Sequence, residues 1–157
     1  MAELDGIYNF LPLTDHVATA GQPTEAELSA VKAAGYEAVI NLLPADSSNA
    51  LADEEGIVSR LGLAYIHIPV DWAKPEAADA ERFFDALDAY QDRRVFVHCA
   101  ANMRVSAFMY LYRALRQHVP PAEAVTDLHR IWTPNETWQR FMDGFGPAEG
   151  QEKRRVT

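Results

Sequence analysis

An α/β fold, with a mainly parallel central sheet flanked by helices on both faces, is predicted by three features of the sequence. Strand-length apolar runs recur at residues 37–43, 64–70 and 94–99. Between them lie amphipathic segments of helical period with recognisable start and stop residues, and strands that alternate with helices pair in parallel. The chain of 157 residues and 17.5 kDa is the size of one domain with a sizeable core. We expect that domain over residues 1–146 and a short tail over 147–157.

The elements follow in order. "YNFLPL" and "HVATAG" read as two short strands around the turn-like "TD". In "PTEAELSAVKAAG", Thr24 and Glu27 have capping-box spacing, Leu28 and Val31 form an apolar stripe, and Gly35 ends the helix. "EAVINLL" is a buried strand, and "NALADEEGIVSRLG" a helix stopped by Gly62. "AYIHIPV" is a strand with Ile66, Ile68 and Val70 on one face. "KPEAADAERFFDALDAY" opens with Pro75 in a first turn and carries Phe83, Leu87 and Tyr90 at helical spacing. "RVFVHC" is the third strong strand, and "RVSAFMYLYRALRQ" a helix with Phe108, Leu111, Tyr112 and Leu115 inward. Pro120 and Pro121 interrupt it, "AEAVTDLHRIW" resumes a helix, and "TPNETWQRFMDGFG" begins with a second capping box, Thr133 to Glu136, with Pro134 at the first helical position.

Composition narrows the function. The formal net charge of −9 argues against a nucleic-acid or acidic-membrane surface, so a phosphate ligand needs a local positive site working against the global field. One cysteine excludes an internal disulfide and a cysteine-rich metal framework, so no metal and no cofactor are expected. The N-terminal "MAELDGIYNF" has neither the basic start nor the apolar run of a signal peptide, and the expected location is cytoplasmic.

The chemistry concentrates in "VFVHCAANMRVS", residues 95–106. In parallel sheets ligands bind at the carboxyl ends of strands, beside helix N-termini, and Cys99 lies at such an end. A helix N-terminus carries unpaired N–H groups and partial positive charge, which stabilise a thiolate and bind phosphate. Arg104 adds a planar, permanently charged fork suited to phosphoryl oxygens. Together these parts make a metal-free covalent phosphoryl-transfer site.

The chain resembles the cysteine-dependent protein tyrosine phosphatases, in their compact dual-specificity branch and its bacterial phosphatase-like relatives. The carriers are "GQPTEAELSAVKAAGYEAVINL", "LGLAYIHIPVDW" and "VFVHCAANMRVSAFMYLYR". The resemblance implies a dual-specificity-phosphatase-like fold and a substrate that is a phosphorylated protein or small aryl phosphomonoester. It implies Cys99 as nucleophile, and Ala100, Ala101, Asn102 and Met103 with Arg104 as the phosphate cradle. By position in "IPVDWAKP", Asp71 is the general acid; Glu76 and Asp79 nearby read as first-turn acids of the next helix. His98 hydrogen-bonds near the loop and tunes the thiolate, and Ser106 helps the cysteine leave. Gln22 belongs to a "GQP" loop that approaches the site. Trp72 offers an aromatic rim for an aryl phosphate, whereas His67, Trp132 and Trp138 read as structural.

The signature departs from the family at one point. The family separates its cysteine and arginine by five residues; here four intervene, and the usual loop glycine is replaced by Asn102, the side chain best suited after glycine to a left-handed backbone. Either Arg104 is rotated by about 100° around the helix axis, or the cradle is tighter and loses one N–H. Two further functions therefore stay open: a non-catalytic phosphate-binding module, and a rhodanese-type sulfurtransferase, whose loop is about one residue shorter than the phosphatase loop.

Overall fold

The computed structural model describes residues 4–145. The expected tail, residues 147–157, lies outside the described residues.

Five strands form one sheet: β1 (Leu11–Pro12), β2 (Val17–Ala20), β3 (Ala38–Asn41), β4 (Ala64–His67) and β5 (Val95–His98). Their order is β1-β2-β5-β3-β4, with β1 antiparallel to β2 and every other pair parallel. The mainly parallel sheet expected from the alternating pattern is what forms. β4 is extended by backbone bonds from Ile68 N to Asn41 O and from Val70 N to Leu42 O, which keeps Ile68 and Val70 buried on one face.

Among the described residues six α-helices cover the sheet: α1 (Glu25–Ala33), α2 (Glu54–Arg60), α3 (Ala77–Ala89), α4 (Met103–Leu115), α5 (Pro121–Ile131) and α6 (Glu136–Asp143). One apolar layer joins α1 and α2 to the sheet through Leu28, Val31, Ile57 and Val58. The other joins α3 to α6 through Phe83, Phe84, Phe108, Leu128, Trp138 and Met142. Strand alternation assigns β5 to both layers: Val95, Val97 and Cys99 face the second, whereas Phe96 faces the first. His98, with its ring centroid 6.1 Å from that of Phe96, follows Phe96 to the α1/α2 side. The strand therefore delivers Cys99 and His98 to opposite faces of the sheet at its carboxyl end.

The capping box of α1 forms as read: the Thr24 hydroxyl accepts from Glu27 N, and Glu27 accepts from Thr24 N. Other helix starts shift. α2 begins at Glu54 because Asp53 is left-handed (φ 57°), a conformation no helix continues, and turns occupy residues 48–49 and 52–53 instead. Pro75 lies outside α3, whose cap is the extended Glu76. The second capping box does not form. Asn135 caps α6 by accepting from Trp138 N at 2.9 Å. Thr and Asn cap equally well in kind, and this start buries Trp138 and Met142, one turn apart. The first predicted strand shortens to two residues after Asn9, which is left-handed at φ 51°.

Candidate active site

β5 ends at His98, and only Cys99, Ala100, Ala101 and Asn102 precede α4. Asn102 is the N-terminal flanking residue of that helix, at φ 66° and ψ 5°. The loop between strand and helix is thus four residues long. The left-handed turn is held by its own side chain, since Asn102 Nδ2 donates to Asn9 O and to Thr19 Oγ1, both at 2.9 Å. Asn9 Nδ2 donates in turn to Ala101 O at 2.9 Å. Gln22 N donates to Ala100 O at 3.0 Å. The Ala100 and Ala101 carbonyls are therefore engaged on the side of residues 8–22, while the Asn102 carbonyl accepts from Ser106 N within α4.

The N–H groups take the opposite part. Those of Ala100, Ala101, Met103, Arg104 and Val105 meet no acceptor among the described residues. The first turn of a helix ordinarily leaves such donors free, and here the preceding loop adds to them. Cys99 lies at the base of this loop and is fully buried, with its backbone N 3.4 Å from Ala20 O.

Gly21 makes the close approach possible. A Cβ there would lie 2.5 Å from Ala100 O and 2.8 Å from Tyr8 Cδ2, so no larger residue fits without moving the cradle. No local pattern announces this contact, which joins residues 79 positions apart.

Arg104 is the second residue of α4 and is only 9% exposed. Its Nε donates to Val70 O at 2.9 Å, and its Cζ lies 5.2 Å from the Trp72 ring centroid. It forms no ion pair among the described residues. Buried charges are normally paired, so a nearly buried guanidinium whose remaining nitrogens have no acceptor is suited to hold an anion. Asp71 follows Val70 directly, and its exposed carboxylate accepts from Ala73 N at 2.9 Å. The loop that anchors Arg104 therefore also carries the candidate acid. Trp72, 37% exposed, stacks against Trp132 and Trp138 at 5.4 and 5.6 Å between centroids, and its carbonyl accepts from Trp138 Nε1.

Ser106 is engaged elsewhere. Its hydroxyl donates to Met103 O at 2.9 Å and accepts from Trp132 Nε1 at 3.0 Å. Two positions beyond Arg104 on α4, it is turned by about 200° from it, which explains why it makes no hydrogen bond to Cys99. The expected help to the leaving thiolate has no hydrogen bond behind it.

Behind the loop lies a polar cluster that the sequence did not reveal. His98 Nδ1 is 3.2 Å from Cys99 O, and its Nε2 is 2.5 Å from Glu54 Oε2. The other Glu54 oxygen accepts from Gln22 Nε2 at 2.9 Å. Burial pushes the Glu54 carboxyl up, but the hydrogen bond and charge of His98, with the Gln22 amide, outweigh it and hold the group below the usual carboxylate value. Gln22 Oε1 is buried with no hydrogen-bond partner among the described residues. His67, read as structural, has Nε2 2.7 Å from Leu43 O. In sequence, Glu54 is the middle of three acids at a helix start, where the dipole alone accounts for it; only the tertiary fold shows it buried.

No group of three or more His, Cys, Asp or Glu able to hold a metal ion occurs among the described residues. Within the same residues, no helix is long and apolar enough to cross a membrane.

Comparison with known proteins places this geometry. The family model described as "DSP-PTPase phosphatase fused to NAD+ Kinase" matches residues 13–141. A DUF442 protein from Shewanella putrefaciens CN-32, a candidate phosphatase, is 36% identical over 91% of this chain and 92% of its own, with a TM-score of 0.80. Tk-PTP in its active form shares the fold at 16% identity, covering 87% of this chain and 95% of its own, with a TM-score of 0.74. Pseudomonas aeruginosa TpbA, in a complex with pTyr, does so at 13% identity over 99% and 93%, with a TM-score of 0.70. The search of curated proteins finds no match. Of the two enzyme classes expected from the sequence, the match selects the phosphatase lineage: the chain belongs to the DSP-PTPase phosphatase family.

Proposed function

We propose that this chain hydrolyses phosphomonoesters through a cysteinyl-phosphate. The observation that carries the reading is the nearly buried Arg104 guanidinium with no ion pair among the described residues, beside a loop that begins at Cys99 and whose N–H groups meet no acceptor there. The Cys99 thiolate attacks phosphorus, the bond from phosphorus to the leaving oxygen breaks, and Asp71 gives its proton to that oxygen. Water then attacks the phosphocysteine and gives a proton to the Asp71 carboxylate, and the sulfur–phosphorus bond breaks to restore the thiolate. Through both steps the Nη groups of Arg104 and the N–H groups of Ala100, Ala101, Met103, Arg104 and Val105 hold the three equatorial oxygens, where charge is spread. Arg104 Nε stays on Val70 O and fixes the fork.

Aryl phosphates are the substrates favoured here, because the exposed edge of Trp72 lies beside Arg104. Phosphotyrosine, the ligand of the TpbA complex, is the natural first probe.

A second reading is a phosphate-binding module without turnover, and the full burial of Cys99 favours it. One panel separates the readings: hydrolysis of an aryl phosphate, sulfur transfer from thiosulfate to cyanide, and vanadate binding, each with the wild type and Cys99→Ser. Aryl phosphate hydrolysis lost in the variant supports the phosphatase. Vanadate binding without hydrolysis supports the module, and cyanide-dependent transfer overturns both.

A further inference from the structure

Glu54 lies outside the cradle, yet it is 5% exposed and faces a ring that is completely buried. Such a residue in a first helical turn ordinarily points to water, where the helix dipole already favours it. Here it makes two side-chain hydrogen bonds, to His98 and to Gln22, and both partners are themselves bonded to the Cys99 loop. His98 reaches the Cys99 carbonyl through Nδ1, and Gln22 reaches the Ala100 carbonyl through its backbone N. The first two peptide units after the strand are thus held from behind by two residues that share one carboxylate.

We propose that Glu54 is a positioning residue of the phosphoryl-transfer site, fixing His98 and Gln22 so that the Cys99 and Ala100 carbonyls stay turned away from the incoming anion. The proposal rests on the phosphatase reading and deepens it. Its physical basis is the direction of each peptide unit. A carbonyl held behind the loop aims the N–H of the same peptide unit forward, and a flipped peptide would present oxygen to phosphate. An imidazole is free to rotate about its last side-chain bond unless both ring nitrogens are engaged, and Glu54 supplies the second engagement. The neighbouring titratable groups are Tyr65 and His67 on β4 and Asp53 and Glu55 beside Glu54; with Glu54 they line a cleft of about 350 Å³. None of the four hydrogen-bonds to His98. Among the described residues Glu54 is the one carboxylate that does.

The test is a double-mutant cycle in the full chain, with kcat and KM measured on an aryl phosphate for Glu54→Gln, His98→Asn and the double variant. Glu54→Gln is expected to lower kcat by about 10- to 100-fold with KM within about twofold. In the His98→Asn background its effect shrinks to the part carried through Gln22, so the two losses do not multiply, and Glu54→Asp recovers part of the loss. Unchanged kcat in Glu54→Gln, or losses that multiply in the double variant, overturn the proposal. If Glu54→Gln does not fold, Glu54→Asp and Gln22→Met carry the same test: each lowers kcat modestly, and Glu54→Asp costs less in the His98→Asn background than in the wild type. If the wild type binds vanadate but hydrolyses nothing, the phosphatase reading fails while this one is still decided, because Glu54→Gln then weakens vanadate binding. A wild type that does neither overturns both.

Discussion

Replacing Arg104 separates a guanidinium kept for a ligand from one kept for the fold. Among the described residues only Nε of its donors is used, on Val70 O at 2.9 Å, and no ion pair offsets its burial. Arg104→Met removes two charge-assisted hydrogen bonds to the phosphoryl group, each worth about 1.5–3 kcal/mol. The summed loss of about 3–6 kcal/mol corresponds to roughly 10²- to 10⁴-fold in kcat/KM. Stability responds differently. The variant forfeits one bond to Val70 O, worth about 1 kcal/mol, but relieves an unpaired buried charge, a change of opposite sign and similar or larger size. We expect urea midpoints equal to or above wild type, measured with vanadate absent, alongside steady-state kinetics on an aryl phosphate. Arg104→Lys keeps the charge without the planar fork and falls between the two in activity. A loss of less than tenfold in kcat/KM, or destabilisation of Arg104→Met by more than about 3 kcal/mol, would refute the reasoning.

Further outcomes follow from the same geometry. Asn102→Ala loses the bonds to Asn9 O and Thr19 Oγ1 and keeps the left-handed strain, so equilibrium unfolding should show about 2–4 kcal/mol of destabilisation; Asn102→Gly, free of that strain, should lose about 1 kcal/mol less. Trp72→Ala is expected to lower kcat/KM for aryl phosphates several-fold more than for alkyl phosphates; equal losses on both would deny it a place at the substrate rim. The Glu54 carboxyl sits below its unfolded value of 4.5, so its contribution to stability is present above that pH and disappears as pH falls through the folded value. The wild type should therefore lose stability more steeply than Glu54→Gln across the acid range, and identical pH slopes in urea unfolding would contradict this.

What the sequence disclosed was periodic or local. Apolar runs fixed the strands, the Thr24–Glu27 box fixed the start of α1, and the position of Asn102 in the loop suggested its left-handed backbone. The strand-end cysteine followed by a helix pointed to the cradle before any fold was known. Helix starts were less legible: α2 waits for the left-handed Asp53, and Asn135 takes the cap ahead of Thr133 with Trp138 buried one turn on. The contacts of residues 8–22 with residues 100–102 were invisible for a simpler reason: nothing in either segment names the other. Arg104 shows both limits. Its proximity to the cysteine was plain, but its anchorage on Val70 O required the β4–α3 loop to be in place.

The cysteinyl-phosphate itself is the most direct test. Rapid mixing with an aryl phosphate, acid quenching and intact-protein mass spectrometry should reveal one added phosphoryl group, mapped by peptide sequencing to Cys99. It should accumulate further in Asp71→Asn with an activated leaving group, whose departure needs no acid, because the carboxylate that deprotonates water is gone. Full hydrolysis with no phosphorylated cysteine at any time point, or undiminished turnover by Cys99→Ser, would contradict the account.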